Sequence, residues 1–188
     1  MNITSLLKKD HQKIKSLLKG LEGSKKKSPR FEELYKLVHI HSKAEEASFY
    51  EPLKGEKKAR PLAFEGFEEH HVAATLLKEL EALDAEDERW AAKLTVLNEA
   101  LHHHIEEEES EMFSKARKAF SKEELDEAGR QFQMKKRALA KEYSAPKSDG
   151  PKLTLYENPS RGQKLRKMKS MMPAKNTSHL ERAVVRGH

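Results

Sequence analysis

The sequence predicts an all-α protein: an up-down-up-down four-helix bundle with an additional helix, over residues 1–143, then a basic, poorly ordered C-terminal tail over 144–188. Three observations carry that expectation. Apolar residues recur at intervals of three, four and seven, and no segment alternates convincingly as a strand does. Breaks rich in Pro, Gly and Lys cut the periodic stretches into pieces of bundle length. The first and third pieces resemble each other, and so do the second and fourth.

The first helix is expected over 3–21, ending in the Gly- and Lys-rich "GLEGSKKKSPR". The second starts near Phe31, just after Pro29, and runs to Tyr50, where "EPLKGEKKARP" interrupts the apolar period. The third covers about 62–83 and the fourth, the longest, about 85–120, with "DAEDE" drawing its true start toward Glu88. Ser121 followed by Glu124 is a capping-box signal for the additional helix, "SKEELDEAGRQFQMKKRALAKEY", expected outside the bundle or across one end. Beyond Tyr143 the chain turns to Pro, Gly, Ser, Asn and Lys, the composition of a poorly ordered extension.

Composition narrows the chemistry. Hydrophobic and charged residues are each 36%, which suits a helical protein with a modest core. No apolar stretch approaches membrane-spanning length, and "MNITSLLKKDHQKI" lacks the apolar block of a secretory signal, so the cytoplasm is the expected compartment. There are no cysteines, which excludes disulfide scaffolds, iron–sulfur clusters and thiol nucleophiles. Any metal must be held by the ten histidines and thirty-one acidic residues. The net charge of +6 divides unevenly: residues 144–188 carry ten Lys or Arg against three acids, while 1–143 carry twenty-seven against twenty-eight. The body is close to neutral, and any attraction to nucleic acid is expected only through the tail.

Helical phase then selects the histidines. His104 shares a column with Trp90, Leu94, Leu97, Leu101, Glu108 and Met112, whereas His102 and His103 lie with Asn98, Glu99, Glu106 and Glu107. In the second helix, Leu34, Leu37, Val38, His41, Glu45 and Phe49 form the equivalent stripe. "HSKAEEASFY" at 41–50 aligns without a gap over "HIEEEESEMF" at 104–113, with an acidic pair at the same offsets. "DHQKIKSLLKGL" at 10–21 aligns in the same way over "EHHVAATLLKEL" at 69–80, matching His11 to His70. His71, flanked by Thr75 and Lys78, is the weaker candidate.

The chain therefore reads as two copies of one unit, a helix with one inward His followed by a helix with inward His-x-x-x-Glu. A single histidine on an apolar face is ordinarily a core residue with a hydrogen bond. Six inward ligand types at matched offsets, two of them carboxylates that are costly to bury unpaired, point instead to metal. His11, His41, Glu45, His70, His104 and Glu108 are the candidate ligands. Six N and O donors suit two ions, with Glu45 and Glu108 bridging and the pairs His11/His41 and His70/His104 serving one ion each. Imidazole with bridging carboxylate favours iron over manganese or zinc and leaves positions open for dioxygen or peroxide.

"DHQKI", "HSKAEEASFY", "EEHHVAATLLKEL" and "HHHIEEEESEMF", in this order, resemble the hemerythrin-like, or HHE cation-binding, family over about residues 3–116. The resemblance implies a four-helix bundle whose non-haem di-iron centre binds dioxygen or senses iron and oxygen, with the family's ligands falling on the same six residues. One departure matters. Oxygen-carrying members take a His-x-x-x-His pair from the third helix, but here Gly66 precedes His70 and Ala74 follows it, which resembles the four-histidine variants. That departure speaks against reversible oxygen carriage and for peroxide chemistry, turnover with oxygen or regulated metal loss. The expected function is therefore iron and dioxygen binding or sensing. A di-iron oxidoreductase acting on peroxide or dioxygen is the second reading, and a structural or regulatory bundle with a polyanion-binding tail is the third.

Overall fold

The computed structural model describes residues 1–84 and 87–144; the expected tail, Ser144 apart, lies outside them. The elements are α1 (Ile3–Lys19), α2 (Pro29–Glu45), α3 (Glu51–Leu53), α4 (Arg60–Ala82), α5 (Arg89–Glu107), α6 (Phe113–Ala119) and α7 (Lys122–Ser144). Two π-helical turns, Glu46–Tyr50 and Glu108–Met112, join α2 to α3 and α5 to α6. No strand occurs among the described residues, and no helix among them is long and apolar enough to cross a membrane.

Local chemistry sets the helix ends. Asn2 accepts from the Thr4 N–H at 2.9 Å and starts α1. Ser28 caps α2 with Pro29 in its first turn, where the missing N–H costs no helical bond, so this helix begins earlier than its apolar period suggests. Asp87 Oδ1 accepts from the Arg89 N–H at 2.9 Å, which places the start of α5 beyond the acidic run. The capping box of α7 is formed: the Glu124 N–H donates to Ser121 Oγ at 3.2 Å, and the Ser121 N–H donates to Glu124 Oε2 at 2.7 Å.

The buried stripes build two apolar cores. One contains Ile14, Leu18, Phe31, Leu34, Leu77, Leu80, Trp90, Leu97 and Leu101. The other contains Ile3, Leu7, Phe49, Tyr50, Leu53, Phe113, Leu125 and Phe132. Each long bundle helix passes from one core to the other, and the direction alternates along the chain. α1 goes from Leu7 to Ile14, α2 from Val38 to Ala44, α4 from Ala63 to Ala73, and α5 from Leu101 toward Met112. The result is an up-down-up-down bundle. In every helix the crossing point carries the inward histidine.

The additional helix lies outside the bundle, packed on α1 and α2. At Gly129 a Cβ would stand 2.2 Å from the Met1 carbonyl oxygen, so only glycine lets α7 cross the N-terminus this closely. The single helices expected over 31–50 and 85–120 are each interrupted by a π turn at the inward glutamate, directly after Glu45 in one and starting on Glu108 in the other. The Glu51 N–H reaches the Glu46 carbonyl and the Phe113 N–H the Glu108 carbonyl. These five-residue bonds stack side chains five apart, a change of phase that simple helical periodicity does not contain.

Candidate metal centre

All six candidate residues are buried between the two cores: His11 and Glu45 are 0% exposed, Glu108 1%, His41 2%, His70 3% and His104 4%. His11, His41 and Glu45 offer ligand atoms within 4.8 Å of one another, and so do Glu45, His70 and His104. Glu45 is common to both groups. Glu108 completes the set through His11, whose Nε2 lies 3.2 Å from Glu108 Oε2. The rings of His11 and His41 are 5.0 Å apart and those of His70 and His104 4.7 Å, so the two histidine pairs assumed from the repeat are neighbours in space.

The outward nitrogens explain what the inward ones are for. His11 Nδ1 meets Glu109 Oε1 at 2.9 Å, His104 Nδ1 meets Glu69 Oε2 at 2.7 Å, and His41 and His70 meet Asp10 and Glu46 at 3.3 Å. An ionised carboxylate only accepts, so each Nδ1 carries the proton and each Nε2 presents a lone pair to the centre. Those lone pairs converge. His70 Nε2 is 3.2 Å from His104 Nε2, and His41 Nε2 is 3.1 Å from Glu45 Oε2. His11 Nε2, both oxygens of Glu45 and both oxygens of Glu108 are buried with no hydrogen-bond partner. With its carboxylates ionised, such a cluster holds acceptors without donors and is unfavourable until protons or cations enter it. The donor set of imidazole and carboxylate, without sulfur, fits first-row transition metals.

The electrostatics agree. Burial first, and then the charge of Glu45, push Glu108 up to about 8; burial likewise pushes Glu45 up to about 8. Near neutral pH these carboxyls hold protons that a metal ion would displace. Burial, followed by the charges of His104 and His41, lowers His70 well below its ordinary range, which keeps it in the neutral form that ligates.

The four carboxylates behind the histidines follow the repeat. Asp10, beside His11, serves His41, and its counterpart Glu69, beside His70, serves His104. Glu46, beside Glu45, serves His70, and its counterpart Glu109, beside Glu108, serves His11. Sequence reasoning noticed the acidic pairs 45–46 and 108–109 but assigned no role to their second members or to Asp10, and weighed Glu69 only as a substitute for the missing fifth histidine. The signal was present: each stands next to a ligand at an offset repeated in both halves.

One half has an addition. Lys136 of α7 pairs with Asp10, and Phe132 packs on the His41 ring at 6.0 Å and 88°. Burial raises Asp10, but His41 and Lys136 outweigh it and leave its carboxyl below the ordinary range. Among the described residues, His71, His102 and His103 stay out of the centre. His103 is exposed, 3.8 Å from Glu69 and Glu107; His102 meets the Asn98 carbonyl at 2.9 Å; His71 is exposed.

The model of the hemerythrin HHE cation binding domain matches residues 2–116. This chain belongs to that family. The match covers the whole hemerythrin-like bundle and ends before α7, so Lys136 and Phe132 reach the centre from outside the matched segment. A protein of Nostoc sp. (strain PCC 7120 / SAG 25.82 / UTEX 2576) described as a DNA nickase is 25% identical over 142 residues, 72% of this chain and 39% of its own length. The hemerythrin-like chain thus spans well under half of that relative. No solved structure matches it.

Proposed function

We propose that this chain is a non-haem di-iron protein that binds or senses iron and dioxygen, with residues 1–143 as its metal-binding unit and 144–188 as a basic tail. One observation carries the reading: four imidazole Nε2 lone pairs and two carboxylates converge in a buried space, while every Nδ1 is engaged by its own carboxylate. His11 and His41 would hold one ion, His70 and His104 the other, with Glu45 and Glu108 shared. When bound, a pair of irons supplies one-electron redox chemistry and open positions for dioxygen or peroxide. The chain supplies the rest. The outer carboxylates fix each imidazole's tautomer and orientation, the two inner carboxylates offset the cations' charge, and the flanking cores limit water.

Iron loading tests it. After anaerobic loading, elemental analysis is expected to give about two irons per chain, on the six-donor count. His104→Ala should lose one iron or more, whereas His102→Ala and His103→Ala keep the full complement. Less than half an equivalent in the unaltered protein sinks the reading. Peroxide turnover by the same preparation separates an oxidoreductase from a binding or sensing protein.

The relative's description as a DNA nickase, together with the tail's excess of seven positive charges, supports a second reading in which the chain meets DNA. Nicking of supercoiled plasmid by the metal-loaded protein, abolished in His104→Ala, would support it. Plasmid left intact removes it.

A further inference from the structure

Tyr50 closes the π turn after Glu45, and its side chain is fully buried. Its hydroxyl has no hydrogen-bond partner. A buried hydroxyl left in that state is unfavourable, so packing alone favours phenylalanine here. Phenylalanine is what the other half of the repeat has: Phe113 stands at the matching position, five residues after Glu108.

The surroundings place the Tyr50 ring beside the second histidine pair. The π turn stacks residues five apart, which brings Tyr50 onto the face of Glu45. Its ring lies on that of His70, with centroids 5.2 Å apart and 23° between the planes. Gly66, one turn before His70, supplies the space. A Cβ there would stand 2.8 Å from Tyr50 Cε2 and Cζ and 2.9 Å from its hydroxyl oxygen. In the matching half the place of Gly66 is taken by Leu7, buried beside Phe113 in the same core. The repeat has therefore exchanged Leu and Phe for Gly and Tyr, gaining one oxygen against the second histidine pair.

We propose that Tyr50 Oη is a ligand to the ion held by His70 and His104, bound as phenolate. The metal–oxygen bond forms as the O–H bond breaks, and the proton leaves to solvent. The two ions then differ: one has an oxygen donor where the other faces only the Phe113 ring. The inference rests on the di-iron reading, and its test distinguishes failure of one from failure of the other.

The full chain, loaded with iron and oxidised to iron(III), is expected to show a visible phenolate-to-iron charge-transfer band. Raman excitation within that band should enhance tyrosinate ring modes. Tyr50→Phe should lose both signals and keep two irons. Tyr35→Phe, in the opposite core, should lose neither. Gly66→Ala, which crowds the ring without removing the hydroxyl, should shift or weaken the band and guards against a folding defect in Tyr50→Phe. A fully iron-loaded wild-type protein without tyrosinate modes overturns the assignment, as do modes that survive in Tyr50→Phe. Failure to take up iron at all overturns the di-iron reading, and this ligand with it.

Discussion

A histidine ring has two nitrogens, and in this chain they divide their work by direction. The carboxylate behind each ring accepts a hydrogen bond from Nδ1–H, so the proton stays on that nitrogen and the Nε2 face is left basic and aimed inward. The same logic governs the two inner glutamates, which gain charge only when something positive arrives. Metal-free protein should report this in its pH dependence. Unfolded, Glu45 and Glu108 titrate near 4.5; folded, burial pushes both up to about 8. Between those values the folded state binds more protons, so stability falls as pH rises. His70, lowered by burial, works oppositely and adds stability as pH rises, but only up to its ordinary value of 6.5. Above that the carboxyls act alone. The melting temperature of metal-free protein is therefore expected to fall from pH 6.5 to 8, by about 2 kcal/mol of stability for each proton held. Glu45→Gln should flatten the slope, and iron should be retained better at the alkaline end of the range because its binding releases these protons. A melting temperature that rises over this interval would contradict the assignment of both groups.

At the scale of elements, the π turns and α7 separate this bundle from four plain helices. One π turn follows Glu45 and ends on Tyr50; the other begins on Glu108 and ends just before Phe113, so each lies between an inward glutamate and the aromatic residue five positions on. The additional helix breaks the twofold likeness of the halves by setting Lys136 on Asp10 and Phe132 on His41. In the proposed di-iron protein, Lys136→Met removes a positive charge beside the ion assigned to His11 and His41 and leaves Asp10 undivided for His41. Release of that ion to a chelator is expected to slow by up to about tenfold, the order a single charge exerts across a partly buried site. The ion held by His70 and His104 should leave at its original rate. Equal effects on both ions would mean that α7 acts as a general cover and not through Asp10.

For the whole molecule the question is how the neutral body relates to the basic tail. The six candidate ligands and the carboxylates behind them all lie within residues 1–144, so removal of 145–188 is expected to leave iron content unchanged. Retention on DNA, if the chain binds it, should disappear with the tail. It should also fall steeply with salt and show little sequence preference, as phosphate contacts do. Loss of iron from the shortened protein would show that the tail contributes to the bundle. Salt-resistant, sequence-selective binding would point to a recognition element beyond simple charge.

Much of this architecture was legible in the sequence because it rests on local rules repeated twice. Period and breaks gave five helical segments, and the column of His104 separated it from His102 and His103. The matched offsets of His11 with His70, and of His41 and Glu45 with His104 and Glu108, singled out six inward residues from forty-one His, Asp and Glu side chains. Asp10, Glu46, Glu69 and Glu109 were not legible in the same way, because a carboxylate beside a ligand lies on a half-exposed face that a solvated charge would also occupy. Only the packing of one helix on the next shows that each reaches the histidine of a neighbour. Tyr50 was hidden for a different reason: helical phase aligns Glu45 with Phe49, and the π turn that moves Tyr50 inward is a small backbone change governed by tertiary contacts. The sequence by itself determined which side chains face the core, since that follows from the helical repeat and the hydrophobic effect. The tertiary structure alone decided which of them meet, because crossing helices bring together atoms that no spacing along one chain relates.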